Sequence, residues 1–262
     1  MIGISWFFGY NIKPETRAKL IKEYGFDCVI TNTDKRFNKQ NGKIKQQVKL
    51  FKKHDIKLSS LHMKYQSKDL AHFWLNGKRG EKLVKDLIDD IKIVKKYNFT
   101  CLVVHLKGRY TNIGEERLKR VLKVCEKYNI DLAVENLDNE KAFVKVFENI
   151  NHPNLKFCYD SGHHNIWIKD IDLLEKYGDK LVAVHLHSNM GKFDSHSLKR
   201  YGNIDWDNIA KKLAKLPKVN LDYELLMKDK PKDITFEKVL KECKKEADYL
   251  EERIKFYQNK NI

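Results

Sequence analysis

Short apolar, β-branched runs alternate with longer amphipathic, lysine-rich segments along the whole chain. The runs Ile2–Trp6, Cys28–Asn32, Leu58–Met63, Cys101–Leu106, Asp131–Leu137, Leu155–Asp160, Leu181–His187 and Asn220–Leu226 have the length and composition of buried strands. Between them, Pro14–Tyr24, Gly80–Tyr97, Gly114–Tyr128 and Thr235–Tyr257 carry apolar residues at helical spacing with charge on the opposite face. Turn signals such as Tyr24-Gly25-Phe26-Asp27 and Tyr128-Asn129-Ile130-Asp131 separate a helix from the strand that follows. Strand–helix alternation implies parallel pairing, and eight strands suit a closed ring better than an open sheet. The pattern predicts an α/β fold of the (β/α)₈, or TIM-barrel, type, in one domain spanning residues 1–262, with no linker or low-complexity tract to divide it.

In such a barrel, active sites form at the carboxyl ends of the strands, so polar residues that close an apolar run are the informative ones. The third run closes at His62, the fourth at His105, the fifth at Glu135 and the sixth at Asp160, with His163 three residues on. The seventh offers His185 and His187, the eighth Glu224, and the segment after the seventh adds Asp194 and His196. A lone histidine at a strand end is ordinarily a hydrogen-bonded core residue. So many imidazoles and carboxylates converging on one barrel mouth would be costly without an ion to pair them. Nitrogen and oxygen ligands without cysteine suit Zn²⁺ or Mn²⁺ better than Ca²⁺. His54, His72 and His152 fall outside this pattern and read as surface or packing residues, and His164 as a helix-start neighbour of His163.

Composition modifies this picture in two places. The formal charge of +16 raises a nucleic-acid partner, yet only eight of the 52 basic residues are arginine, and the lysines are scattered over every helical segment. Scattered lysine describes solvated helix faces, whereas phosphate recognition favours clustered arginine, so nucleic acid is the less favoured partner. Five widely spaced cysteines with no Cys-x-x-Cys pair read as reduced core thiols. No apolar run is long enough to span a bilayer, and the first six residues lack a basic segment, so the expectation is a cytoplasmic protein without a membrane partner.

The segments Val134-Glu135-Asn136, Tyr159-Asp160-Ser161-Gly162-His163-His164-Asn165, Asp194-Ser195-His196, Gly202-Asn203-Ile204-Asp205-Trp206 and Glu224 resemble the xylose isomerase-like barrel superfamily over nearly the whole chain. That superfamily contains sugar isomerases and epimerases as well as the endonuclease IV group of abasic-site nucleases. The resemblance to the epimerases implies one divalent ion held by Glu135, Asp160, His185 and Glu224, with Glu135 and Glu224 moving protons. It leaves His62, His105, His163 and His187 to bind substrate. The resemblance to the nucleases implies three zinc ions, adding His62, His105, His163, Asp194 and His196 as ligands. Glu135-Asn136 continues as Leu137-Asp138-Asn139-Glu140, without the glycine-rich continuation of the nucleases, and no segment reads as a wedge that would enter duplex DNA. The favoured expectation is a metal-dependent isomerase or epimerase of a small carbohydrate or polyol, and the alternative is a multinuclear zinc phosphodiesterase acting on abasic-site DNA.

Overall fold

The computed structural model of the chain describes residues 1–64, 67–228 and 234–260. Eight strands, β1 (Ile2–Ser5), β2 (Cys28–Asn32), β3 (Lys57–His62), β4 (Leu102–Val104), β5 (Leu132–Glu135), β6 (Leu155–Asp160), β7 (Leu181–Leu186) and β8 (Leu221–Tyr223), close into one barrel in chain order. Every neighbouring pair is parallel, including the closing pair, where Ile2 lies opposite Leu221.

Helices Pro14–Glu23, Ile44–Lys53, Lys78–Tyr97, Asn112–Tyr128, Glu140–Asn149, Trp206–Leu213 and Phe236–Asn259 cover the outside. Their ends follow from local chemistry. Thr111, Asn139, Asp205 and Thr235 accept hydrogen bonds from first-turn amides, while Asn98 and Asn129 end their helices in the left-handed region at φ 60° and 53°. The helices fall within a few residues of their sequence-predicted limits. Several strands are shorter than predicted, because the apolar runs continue past the last ladder pair: Leu106, Asn136 and Leu225 stay buried beyond the strand ends.

Alternation along each strand divides two kinds of environment. Outward residues such as Leu102, Val104, Leu132, Val134, Phe157 and Tyr159 pack against the helices in the main core. Inside, Cys101, Val103, Ala133, Cys158 and Ala183 form a small separate core, and the next inward positions toward the carboxyl ends are His105, Glu135, Asp160 and His185. A register shift between β2 and β3 sets two residues, Ser59 and Ser60, against Ile30, so Ser59 and His62 both reach the interior despite their odd spacing.

Candidate metal centre

Nine residues expected as ligands meet at the carboxyl end of the barrel, and His187 meets them there. Their donor atoms fall into two groups that share Glu135, His62 with His105 and Glu135, and Glu135 with Asp160, His185 and Glu224, and a further group of His163, His187, Asp194 and His196, the atoms of each group lying within 4.8 Å of one another. Glu135 is the hub. His185 Nδ1, His105 Nε2 and His62 Nε2 stand 3.1, 3.2 and 3.3 Å from its Oε2, and His163 Nδ1 stands 3.1 Å from its Oε1. Across His185 Nδ1, the second glutamate, Glu224, lies at 3.4 Å.

The residues fit an ion. His62, His163 and His196 each place Nδ1 within 2.6, 3.0 and 2.9 Å of a backbone carbonyl, of Met63, Asn136 and Glu224 respectively. A ring that donates Nδ1–H to a carbonyl turns the lone pair of Nε2 toward the cluster, as metal-binding histidines do. Meanwhile both ring nitrogens of His185 and Oε1 of Glu135 are buried, and although His185 Nδ1 and Glu135 Oε1 each have an ion-pair partner at 3.1 Å, none of the three atoms makes a well-aligned hydrogen bond with a described residue. Such groups are satisfied by a divalent cation and penalised without one.

The electrostatics follow from the crowding. Burial opposes the charge of Glu135, but His105 and His185 hold its carboxyl well below the usual range. Asp160 is lowered by His163 and His187, and Glu224 by His185 and His196, in each case against burial. Burial also disfavours the imidazolium of His163, yet Asp160 and Glu135 push it up to about 10, and His185 rises well above its ordinary value beside Cys158, Glu224 and Glu135. Burial dominates at His62 and His187, whose values fall. In the metal-free chain, protons on the raised histidines balance the carboxylates, and an ion would replace them.

The cluster floors a cavity of about 460 Å³. Its lining joins the polar residues His62, His105, Glu135, His163, Asp194, His196 and Glu224 to an apolar wall that includes Trp6, Phe7, Ile30, Phe37 and Leu226. Asp160, His185 and His187 lie beneath. Buried Arg17 braces the wall by donating to Asn41 Oδ1 at 2.9 Å and stacking over Trp6.

Four supporting residues had no role in the sequence reading. Asn136 ties β5 to β6, accepting from Asp160 N at 2.8 Å and donating to Asp160 O at 2.9 Å. Lys228 donates to Asp194 Oδ2 at 2.9 Å, Cys158 stands behind His185, and Trp167 lies over His163 with ring centroids 4.9 Å apart. Asn136 was findable, because an amide directly after an inward glutamate can bridge two strand ends; Lys228 sits on an irregular segment with no pattern to mark it. The histidines set aside lie apart from the cluster: His54 pairs with Glu15, His72 with Arg79, His152 with Glu126, and His164 with Tyr159.

The family model of the xylose isomerase-like TIM barrel matches residues 18–252, and the chain belongs to that family. A curated relative from Sinorhizobium fredii, an uncharacterized protein, is 36% identical over 161 residues, covering 55% of this chain and 52% of its own. Another, from Methanocaldococcus jannaschii and also uncharacterized, is 24% identical over 149 residues, covering 53% and 58%. The matches thus span about half the length of these relatives. Among solved structures, a D-tagatose 3-epimerase-like protein superposes with TM-score 0.77 at 19% identity, covering 100% of this chain and 99% of its own. The D-psicose 3-epimerase of Clostridium cellulolyticum gives 0.73 at 14%, covering 96% and 98%, and an Escherichia coli 3-keto-D-glucoside 4-epimerase gives 0.66 at 14%, covering 96% and 98%. At these identities the likeness is one of fold. Among the described residues, no helix is long and apolar enough to cross a membrane.

Proposed function

We propose that the protein is a divalent-metal-dependent isomerase or epimerase of a small carbohydrate or polyol, with Zn²⁺ or Mn²⁺ as its ion. One observation carries this reading: Glu135 and Glu224 flank His185 Nδ1 at 3.1 and 3.4 Å on the floor of a cavity of monosaccharide size. The epimerases that share the fold support it.

An ion held by Glu135, Asp160, His185 and Glu224 would polarise a substrate carbonyl as a Lewis acid. The neighbouring histidines keep both glutamates ionised, so either can take a proton from the carbon beside the carbonyl while the other returns one. His62, His105 and His163 face the cavity, where their ring nitrogens can hold sugar hydroxyls. The apolar wall would limit the water that reaches a bound substrate. All five cysteines are buried free thiols, which supports a reducing, cytoplasmic setting.

The test is turnover of ketoses and aldoses in heavy water. Deuterium should enter at the carbon next to the carbonyl, and Glu135→Gln or Glu224→Gln should slow its entry by ~10²–10⁴-fold once metal content is matched. Full exchange by the metal-loaded Gln variants would remove these carboxylates from proton transfer. A second reading, a multinuclear phosphodiesterase, is favoured by the convergence of the nine expected ligands on several groups that could each hold an ion. Cleavage of abasic-site duplex, with no exchange on any sugar, would establish it instead.

A further inference from the structure

Two asparagines line the cavity without belonging to any of the groups that could hold an ion: Asn32 at the end of β2 and Asn41 on the short helix Asn38–Asn41. Asn41 is 3% exposed, and its orientation is forced. Fully buried Arg17 donates from Nη1 to Asn41 Oδ1 at 2.9 Å, and a guanidinium carries no acceptor, so the amide oxygen must face it and the nitrogen must turn away. Asn32 is fixed by the same logic, because its Oδ1 accepts from the Asp34 amide at 3.0 Å. Neither Nδ2 donates to a described residue, and neither is sealed from solvent, which leaves both facing the cavity.

Arg17 is itself firmly held. Its Nη2 donates to the carbonyls of Ile12 and Gln40 at 3.0 and 3.4 Å, and its guanidinium packs on the rings of Trp6 and Phe7, 4.8 and 5.5 Å from their centroids. Trp6 Nε1 in turn donates to the backbone carbonyl of Asn41 at 3.1 Å. Among the described residues Arg17 makes no ion pair, so its charge is not cancelled within the wall. That charge polarises the amide it grips and strengthens the N–H donors on the far side of Asn41. The same lining includes the apolar side chains of Trp6, Phe7, Ile30 and Phe37, against which a substrate oxygen without a donor would lose its water and gain nothing.

We infer that Asn32 and Asn41 are substrate-binding residues whose fixed amide donors hold sugar oxygens other than those on the reacting carbons, and that Arg17 is the residue that positions Asn41. The inference rests on the proposed function and narrows it. A cavity that offers amide donors besides an ion site selects a chain that stays hydroxylated beyond the carbons being isomerised, rather than a short keto compound. Such a site discriminates strongly, since a substrate that lacks the oxygen leaves the donors unpaired against an apolar wall.

The competing role for these side chains is to brace the segment 38–41 and nothing more. The metal-loaded full chain is assayed with D-fructose, D-tagatose, D-allulose, the aldohexoses and dihydroxyacetone, and then with each monodeoxy form of the hexose it turns over best. Asn41→Asp and Asn32→Asp are the telling variants, because a carboxylate keeps the oxygen that Arg17 or the Asp34 amide uses and removes only the donor. Each should raise KM for the parent hexose by about tenfold, with kcat falling by a smaller factor, and one monodeoxy sugar should show little of that rise. Arg17→Met should raise KM in the same way with the same deoxy sugar spared, and Arg17→Lys should restore part of the loss; the aspartate variants keep the test open if the methionine variant does not fold. A KM that does not move, equal losses on the parent and every deoxy form, or faster turnover of dihydroxyacetone than of any hexose would overturn the inference and leave the proposed function standing. No turnover of any of these sugars by the wild type would remove the proposed function, and this inference with it.

Discussion

The mouth of the barrel and the layer beneath it are made by the same strands and the same alternation, yet they treat a buried carboxylate in opposite ways. Below, Asp222 sits on β8 among small residues, with the Ser59 hydroxyl donating at 2.5 Å and the Cys28 thiol at 3.7 Å. A Cβ on Gly3 would come within 2.0 Å of its Oδ1, so glycine is needed for the carboxylate to fit. Burial outweighs those neutral donors and raises Asp222 to about 6. Two residues on, just past the end of β8, Glu224 is also enclosed but faces His185 and His196, and its carboxyl is lowered, as is that of Glu135. Burial is common to both layers; the field differs. A buried acid is held firmly ionised, as a metal ligand or base would need to be, where several imidazoles surround it, and takes up a proton more readily where burial outweighs them.

The strongest way to break this comparison is to remove the hub. Glu135→Ala or Asp160→Ala should abolish divalent metal binding at the Glu135 site while the barrel stays folded, measured as metal per chain beside circular dichroism. Undiminished metal in both variants would show that the mouth is not an ion site.

A large packing lesion on the outward face should have the opposite signature. Phe157 is fully buried between β6 and the helices, with Phe143, Phe147 and Tyr177 around it. Phe157→Ala should cost about 3–5 kcal/mol of stability and leave metal affinity unchanged at temperatures where the chain is folded. Loss of metal in proportion to stability would mean that mouth and wall are not separable.

Asp90 sharpens the same contrast away from the cluster. It is buried on the helix Lys78–Tyr97, and burial raises it from an ordinary 3.8 to about 7 against a hydrogen bond from Thr33. A raised carboxyl gives its stabilising contribution fully below pH 3.8 and loses it as pH rises through about 7. Asp90→Asn should therefore melt higher than wild type at pH 8, by roughly 1–3 kcal/mol, and lose most of that advantage at pH 4. Equal differences at both values would refute the burial argument. The smallest effect expected is on DNA: because lysines are scattered, any binding should be weak and fall steeply between 50 and 200 mM salt, roughly as seen for non-specific phosphate contacts. Tight binding to abasic duplex at physiological salt would reverse the ranking of the two functional readings.

Much of this molecule was legible before any coordinates. Strand–helix alternation is written in local composition, and because a parallel strand is buried on both faces, its apolar run is continuous and easily found; the eight strands follow from that alone. The candidate cluster was legible for a related reason: a histidine, aspartate or glutamate ending such a run has no place in an apolar core, so each of His62, His105, Glu135, Asp160, His185 and Glu224 marked the strand end it stands at or near. Tertiary structure decided what depends on distance between elements. No spacing in the chain says that Ser59 and His62 share an interior, since the bulge that turns them there arises only when β2 and β3 pair. Nor does it say that Asn136 binds across to Asp160, that Lys228 reaches Asp194, or that the closure of residues 188–197 by the Ser188–Ser197 bridge lays His196 on His187. Alternation tells which side of a strand a residue takes. Only the closed barrel and its loops determine which of those residues come close enough to share an ion.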